Sequence, residues 1–209
     1  MFKRIFKFYS LPMYIMVHPF DGFYNMKHLK EGSMKIALLN FFLVCLSVSI
    51  MNQYTSLRIN DAHPGSFNSL WVFTSFTLAL VLFCVSNWSV CAITDGEGKF
   101  KEIVMAVCYS LTPVILTFVP ITIISNFLAT AEAGFYTMVV TVAIGYTVLL
   151  IFLGLVSIHN FTASKAIITI ILTIVALLII VFLVSLLFSM WGLLIGFVRS
   201  IYTEVTFRS

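Results

Sequence analysis

The residues best equipped for chemistry lie in one polar segment, NWSVCAITDGEGKFKE, residues 87–102, between two long apolar runs. The carboxylates of Asp95 and Glu97 could hold a hard cation through oxygen, but calcium usually takes about six or more oxygen ligands from a longer ordered loop. We therefore interpret the segment as a hairpin between two helices, whose glycines allow the tight reversal. A partner-docking loop is the second alternative, and a metal or catalytic site is the least favoured. The docking candidates are Asp95, Gly96, Glu97, Gly98, Lys99 and Lys101.

No other constellation in the sequence predicts catalysis or a cofactor. The histidines are isolated, without metal-ligand spacing, and neither a phosphate-binding loop nor a Ser/His/Asp set is present. The four cysteines fall within or at the ends of apolar runs and are interpreted as packing residues. The spans carry no ionisable residue at mid-depth, which disfavours a pump or an intramembrane protease. We expect a non-enzymatic protein without metal or cofactor.

The elements that must position these residues are membrane helices. The chain is 61% hydrophobic and 10% charged, with a mean hydropathy of +1.08, far outside the composition of soluble proteins. Each long charge-free window can hold one helix of the ~20 residues that cross a bilayer, and barrel-like alternation is absent. The sequence predicts an all-α bundle of five transmembrane helices at 34–56, 69–93, 103–128, 136–157 and 166–189.

The distribution of Lys and Arg predicts the orientation of this bundle. With five spans, nine of these residues lie on the side of the N-terminus and three lie on the other side, namely Arg58, Arg199 and Arg208. The positive-inside rule puts the N-terminus in the cytoplasm and the C-terminus outside. The net charge of +4 is interpreted as a topology signal and as contact with anionic lipid, not as nucleic-acid binding.

The N-terminal 33 residues are predicted to be interfacial. Phe2, Ile5, Phe6 and Tyr9 lie at helical spacing beside basic residues, which is typical of an amphipathic helix on a membrane surface; a frayed basic tail is the alternative. Pro12 and the run at residues 18–23 are expected to break this helix and form a turn with Asp21 as a cap, although His18 and Asp21 could also bind a ligand. The chain is thus divided into residues 1–33, a five-helix domain at 34–200 and a tail at 201–209.

Two stripes of small or polar residues suggest helix contacts. Ser110, Pro113, Thr117 and Pro120 share one face of the third span, which we expect to point inward, with kinks at the prolines and hydroxyls on the freed carbonyls. Asn40 and Asn87 are expected to hydrogen-bond across helices.

The second stripe, Ser185, Ser189, Gly192 and Gly196, lies at the end of the fifth span and permits close helix packing. We favour packing within the bundle; an interface between chains is the alternative. The helix is expected to continue toward Tyr202.

The segments HPFDGFYNMKHLKEGS, NWSVCAITDGEGKFKE and YSLTPVIL occur in this order along the chain. Over nearly its whole length the sequence resembles bacterial members of the Yip family, polytopic proteins with a Yip-one domain. The resemblance implies five transmembrane helices and a cytosolic N-terminus. It carries over Asp95, Gly96, Glu97, Gly98, Tyr109 and Pro113 as family-pattern residues.

Eukaryotic relatives are named for binding Rab-type GTPases and act in vesicle traffic between the ER and the Golgi. The chain departs from them in its short N-terminal region and at Cys108, where a glycine commonly precedes the tyrosine. Rab binding is therefore not carried over.

Some bacterial members look associated with ABC transporters for sugars. The resulting hypothesis is an accessory or scaffold subunit of a complex in the bacterial inner membrane, contacting lipid and other integral membrane proteins such as ABC transporter subunits. The alternative is a transporter or channel that acts alone or as a homo-oligomer.

Overall fold

The computed structural model of the chain describes residues 10–56 and 68–207. Over these residues the secondary structure is helical and contains no strand, so the predicted all-α fold is confirmed. The helices are α1 (Ser10–Val17), α2 (Pro19–His28), α3 (Met34–Tyr54), α4 (Ser69–Ile93), α5 (Phe100–Ser110), α6 (Thr112–Ser125), α7 (Ala133–His159) and α8 (Ala163–Phe207), with a 3-10 turn at Thr130–Glu132.

Five helical stretches of the described residues are long and apolar enough to cross a membrane. They are α3, α4, the pair α5–α6, the 3-10 turn with α7, and α8. Each coincides with one predicted span, because a charge-free window of this length has few other ways to satisfy its backbone in lipid. The last stretch extends beyond the predicted span: α8 has 45 residues and ends at Phe207, so the expected continuation toward Tyr202 is confirmed.

The predicted break occurs at His18, between α1 and α2, but Pro12 and residues 19–23 lie within helices, so the turn predicted there is wrong. Pro12 lies in the first turn of α1, and Pro19 is the first residue of α2 after the N-cap residue His18. Proline is tolerated there because the N–H it lacks would have no intrahelical partner. Asp21 lies in the first turn of α2 and is not the cap. The predicted amphipathic helix at Phe2, Ile5, Phe6 and Tyr9 lies outside the described residues.

Helices α1 and α2 are built into the core of the bundle. Ile15, Phe23 and Met26 are fully buried or nearly so, in one cluster with α5 side chains. At Gly22 an added Cβ would lie 2.8 Å from the Cα of Ile15, so this glycine allows the two helices to touch. The Phe23 ring covers Gly154 of α7, where an added Cβ would lie 3.0 Å from the ring.

The third span is broken where proline predicts it. Only Leu111 separates α5 from α6, and Pro113 lies in the first turn of α6. The hydroxyl of Thr112 donates to the carbonyl of Tyr109 at 2.6 Å, the carbonyl that Pro113 leaves free. The Asn40 amide donates to the Cys108 carbonyl at 2.6 Å. The kink, the hydroxyl on a freed carbonyl and the cross-helix bond of Asn40 are confirmed.

The face of the third span that was predicted to point inward is buried along only part of its length. Ser110 and Pro113 are buried, Thr117 is half-buried and Pro120 is exposed, inside a helix that continues through it. The hydroxyls of Ser110 and Thr117 donate to carbonyls of their own helix, at 2.8 Å and 2.7 Å. The prediction that all four residues face the bundle is therefore wrong at Pro120.

Helix α8 joins the bundle only near its start. Ala166, Thr169 and Thr173 are its buried residues, and the amide of Asn87 on α4 donates to the hydroxyl of Thr173 at 3.2 Å. Every residue at positions 181–207, which we call the free segment, is exposed. No atom of the described chain comes within 4 Å of a Cβ added at Gly192 or Gly196. The favoured packing of Ser185, Ser189, Gly192 and Gly196 within the bundle is therefore wrong.

Candidate functional site

The polar segment that opens the sequence forms a hairpin at residues 94–99, between α4 and α5, and we call this end of the molecule the hairpin end. The reversal is made by Asp95, which has φ 55°, and no glycine in the described residues has a positive φ. The N–H of Gly96 donates to the carbonyl of Cys91 at 2.8 Å, the bond that closes a helix through a left-handed residue. The interpretation that the glycines make the reversal is wrong, because Asp95 makes it.

The glycines are needed for contact. A Cβ at Gly96 would lie 2.6 Å from Nδ1 of His159, and a Cβ at Gly98 would lie 2.6 Å from Cε1 of His159 and from Cγ2 of Ile158. Real Cβ contacts are not this short. The hairpin therefore lies directly on the end of α7, and both positions exclude any side chain larger than hydrogen unless the two segments separate.

His159 is the buried support of the hairpin. Its side chain is 2% exposed, its Nδ1 accepts a hydrogen bond from the Gly98 N–H at 3.2 Å, and its ring stacks on Phe161 with centroids 5.2 Å apart. Nε2 is buried, with no hydrogen-bond partner in the described residues. The hydrogen-bond partner of His159, the Gly98 N–H, lies some sixty residues away in the sequence.

Helix α7 ends as α4 does, with a residue in the left-handed conformation. Asn160 has φ 54°, and the Phe161 N–H donates to the carbonyl of Val156 at 3.1 Å. Asp and Asn are the residues other than glycine that most readily adopt this conformation. The two left-handed residues, Asp95 and Asn160, therefore end α4 and α7, and the segments that follow them meet through the Asn160–Glu97 hydrogen bond.

Glu97 joins three separate segments. Its Oε2 accepts from Nζ of Lys27 on α2 at 3.0 Å and from Nδ2 of Asn160 at 2.5 Å. Lys27 and Asn160 lower the pKa of the Glu97 carboxyl below its ordinary value of 4.5, through the Lys27 hydrogen bond and charge first and then the Asn160 amide. The Glu97 side chain is 61% exposed, so the pair contributes little to stability and chiefly orients the hairpin.

The remaining charges of the hairpin face outward or cap a helix. Asp95, Lys99 and Lys101 are exposed. Glu102 accepts from the Lys99 N–H at 3.0 Å, and its negative charge lies in the first turn of α5, where the helix dipole favours it. Among the described residues, no group of three or more His, Cys, Asp or Glu could hold a metal ion. The arrangement offers a rigid polar surface.

Tyr109 holds the next connector in place. It is fully buried, and its hydroxyl donates to the Ser33 carbonyl at 2.9 Å and accepts from the Ser33 N–H at 3.0 Å. Gly32 lies beside it, where an added Cβ would be 2.6 Å from Met26. Tyr109 thus ties the turn between α2 and α3 to α5. The family-pattern residues from Asp95 to Gly98, with Tyr109 and Pro113, all shape the hairpin end or the helix break next to it.

Comparison with models of known protein families shows the family of this chain. The model of a family described as Yip1 domain matches residues 13–186, from α1 to the first part of the free segment. Neither a curated protein nor a solved structure matches the chain.

Proposed function

Because the chain belongs to the Yip1 domain family, we propose that this multi-pass membrane protein is a non-enzymatic accessory or scaffold subunit of a membrane complex. Its proposed location is the bacterial inner membrane, with the N-terminus in the cytoplasm. Subunits of an ABC transporter for sugars are the candidate partners, on the resemblance to bacterial members of the family.

The observation that carries this proposal is the free segment of α8. A helix in lipid gains little from association by hydrophobicity alone, so partners meet through close packing at small residues. Ser185, Ser189, Gly192 and Gly196 form such a stripe, and they are all exposed. The open space around both glycines leaves room for the backbone of a second helix from another protein.

The hairpin is the proposed second contact. Its backbone is fixed by His159, while Asp95, Glu97, Lys99 and Lys101 present both signs of charge at its exposed surface. A rigid loop loses little conformational entropy on binding. On the positive-inside rule this surface faces the cytoplasm, where it could contact a cytoplasmic domain of the same complex.

A transporter or channel acting alone has less support. It would need polar groups free to meet a solute inside the bundle. The Asn87 amide already donates to Thr173, and the Ser110 hydroxyl donates to the Ala106 carbonyl. Both side chains therefore already have a hydrogen-bond partner, across helices at Asn87 and within its own helix at Ser110.

The test is purification of the full chain from its native membrane in mild detergent, with mass spectrometry of whatever accompanies it. The comparison is the double variant Gly192→Leu with Gly196→Leu, matched to Gly134→Leu on α7, another helical glycine with open space around its Cβ position. We expect a stoichiometric partner with the wild type and with Gly134→Leu, and its loss in the double variant.

Two outcomes would contradict different parts of the proposal, the interface and the accessory role. A partner retained by the double variant would remove the small-residue stripe as the interface. A wild-type chain that emerges alone, or only with copies of itself, would overturn the accessory role.

A further inference from the structure

An apolar cleft of about 720 Å³ opens between α7 and the pair α4–α8, with α3 and α5 behind it. Its floor includes Val107 and Leu155, which are buried, and its rim includes Phe76 and Val148, which are exposed. The volume lies in the range of about 300–1,000 Å³ that is usual for ligand sites. Its walls are apolar side chains, so its occupant must be apolar where it touches them.

The cleft follows the helices over much of the membrane, starting near the hairpin end. Leu155, at its end nearest the hairpin, is four residues from the end of α7, and Phe76, at its far end, is seventeen residues from the end of α4. At 1.5 Å per helical residue the cleft extends from about 6 Å to about 25 Å along the helices. This length of about 20 Å is about two thirds of the ~30 Å hydrocarbon core.

The cleft is wider because one of the helices around it has no side chain at a position that lines it. Helix α8 follows α4 through the Asn87–Thr173 contact. On α7, Gly145 lines the cleft, and no described atom lies within 4 Å of a Cβ placed there. An empty cleft would lose dispersion contacts along all its walls. In a bilayer, the molecules at hand to fill it are lipid chains.

A cation stands near the end of the cleft closest to the hairpin. Nζ of Lys165 lies 4.6 Å from the centre of the Phe161 ring. Phe161 belongs to a cluster that includes Phe152, and Phe152 lines the cleft. No carboxylate in the described residues pairs with Lys165. Its ammonium is therefore placed for an anionic group just outside the hydrocarbon.

We propose that this cleft is a binding site for one anionic phospholipid, with an acyl chain in the cleft and the phosphate group at Lys165. A chain in the cleft touches protein on several sides, whereas a chain on the outer surface of the bundle touches it on one. Because each contact adds dispersion energy, the lipid in the cleft stays bound when the surrounding lipid is exchanged for detergent. The site does not depend on the proposed partner.

The first test measures phospholipid that remains with the purified full chain, by extraction and mass spectrometry. Gly145→Leu fills the cleft, and Gly134→Leu is its control, since both replace an open helical glycine of α7. We expect bound phospholipid to fall about tenfold in Gly145→Leu and to stay unchanged in Gly134→Leu. Equal amounts in the two variants would overturn the proposal.

The second test addresses the headgroup. Lys165→Gln removes the cation near the cleft, and Lys101→Gln removes a charge from the exposed hairpin end. We expect the ratio of anionic to zwitterionic lipid bound to the protein to fall to that of the bulk membrane only in Lys165→Gln. A wild-type ratio equal to that of the bulk membrane would overturn the assignment of the phosphate to Lys165.

The third test needs no variant. A phospholipid with a photoreactive group on its acyl chain is added to vesicles that contain the wild-type chain, and the labelled residues are mapped. Labelling of the buried floor, at Val107 or Leu155, supports the site. Labelling confined to the outer surface of α8, at Leu187 or Phe188, or a cross-link from the cleft to a second copy of the chain, contradicts it.

Discussion

The hairpin end and the free segment of α8 use the same kinds of residue in opposite ways. At the hairpin end, Gly96 and Gly98 lie against His159, and Glu97 has two partners. In the free segment, Gly192 and Gly196 touch nothing in the described chain. The two regions differ in the number of helices that meet there. Five helices begin or end at the hairpin end, namely α2, α4, α5, α7 and α8, whereas no described segment packs against residues 181–207. A small residue in the sequence therefore indicates close packing only where a second segment of the chain lies against it.

The largest difference between the two regions is expected when the same side chain replaces a glycine in each of them. Gly98→Leu forces the hairpin off His159 and Ile158, and we expect a loss of about 1–3 kcal/mol in the free energy of unfolding. Gly196→Leu should leave stability unchanged, because its Cβ position is open. Thermal unfolding of both variants in one detergent gives the measurement. Similar unfolding temperatures for the two would mean that the hairpin is not held as described.

A smaller effect is expected at the helix break. Asn40 donates from its amide to the Cys108 carbonyl and to the Thr112 hydroxyl, at 2.6 Å and 3.2 Å. Asn40→Leu should cost about 1–2 kcal/mol, because a buried carbonyl loses its partner. The control is Asn52→Leu on the same helix, since among the described residues the Asn52 amide donates to the Val48 carbonyl of its own helix and not across helices. Denaturant unfolding that ranks Asn52→Leu as the more damaging change would contradict this assignment.

The attachment of α8 should be weaker still. Asn87 and Thr173 share one hydrogen bond of 3.2 Å, and such bonds between membrane helices average about 0.6 kcal/mol. A double-mutant cycle of Asn87→Leu and Thr173→Val should return a coupling energy of that size. The same cycle between Asn87 and Ser185, in the free segment, should return none. A coupling of zero at Thr173 would mean that other contacts hold α8.

The smallest effect is expected at Glu97, and it should depend on pH. The folded-state pKa of this carboxyl is lowered below 4.5, so its contribution is present above that ordinary value and is lost as the pH falls through the lowered one. Hydrogen exchange of the hairpin amides should therefore be slightly faster in Glu97→Gln than in the wild type near pH 7, and equal in strongly acid solution. A difference that instead grows on acidification would contradict the Lys27–Glu97–Asn160 arrangement.

The spans and the main break could be predicted from the sequence because each has a local cause. A charge-free window must cross the membrane as a helix, and Pro113 cannot give the hydrogen bond that would continue α5 into α6. The cross-helix hydrogen bond of Asn40 could be predicted because an unpaired amide in an apolar span costs free energy. None of these inferences needs to know which helices are neighbours.

The missed features depend on neighbours. Nothing near His159 in the sequence shows that Gly98 will lie above it, and the spacing of Gly192 and Gly196 is the same whether a partner helix comes from this chain or another. The positions of Pro12 and Pro19 within helices could not be predicted for a related reason: proline in the first turn starts a helix as readily as proline further along ends one. The contacts of Phe23 with Gly154 then decide where those helices lie.

The length of α8 has a consequence for the membrane itself. Lys165 and Arg199 enclose 33 uncharged residues, a helix of about 50 Å against a hydrocarbon core of about 30 Å. A tilt within the usual range of up to about 40° absorbs only part of this hydrophobic mismatch. The apolar length that remains must either thicken the surrounding bilayer or be covered by another protein. Each ångström left unmatched costs a fraction of a kcal/mol. For the proposed partner, membrane thickness would therefore set part of the affinity, and we expect a thicker bilayer to weaken the proposed association.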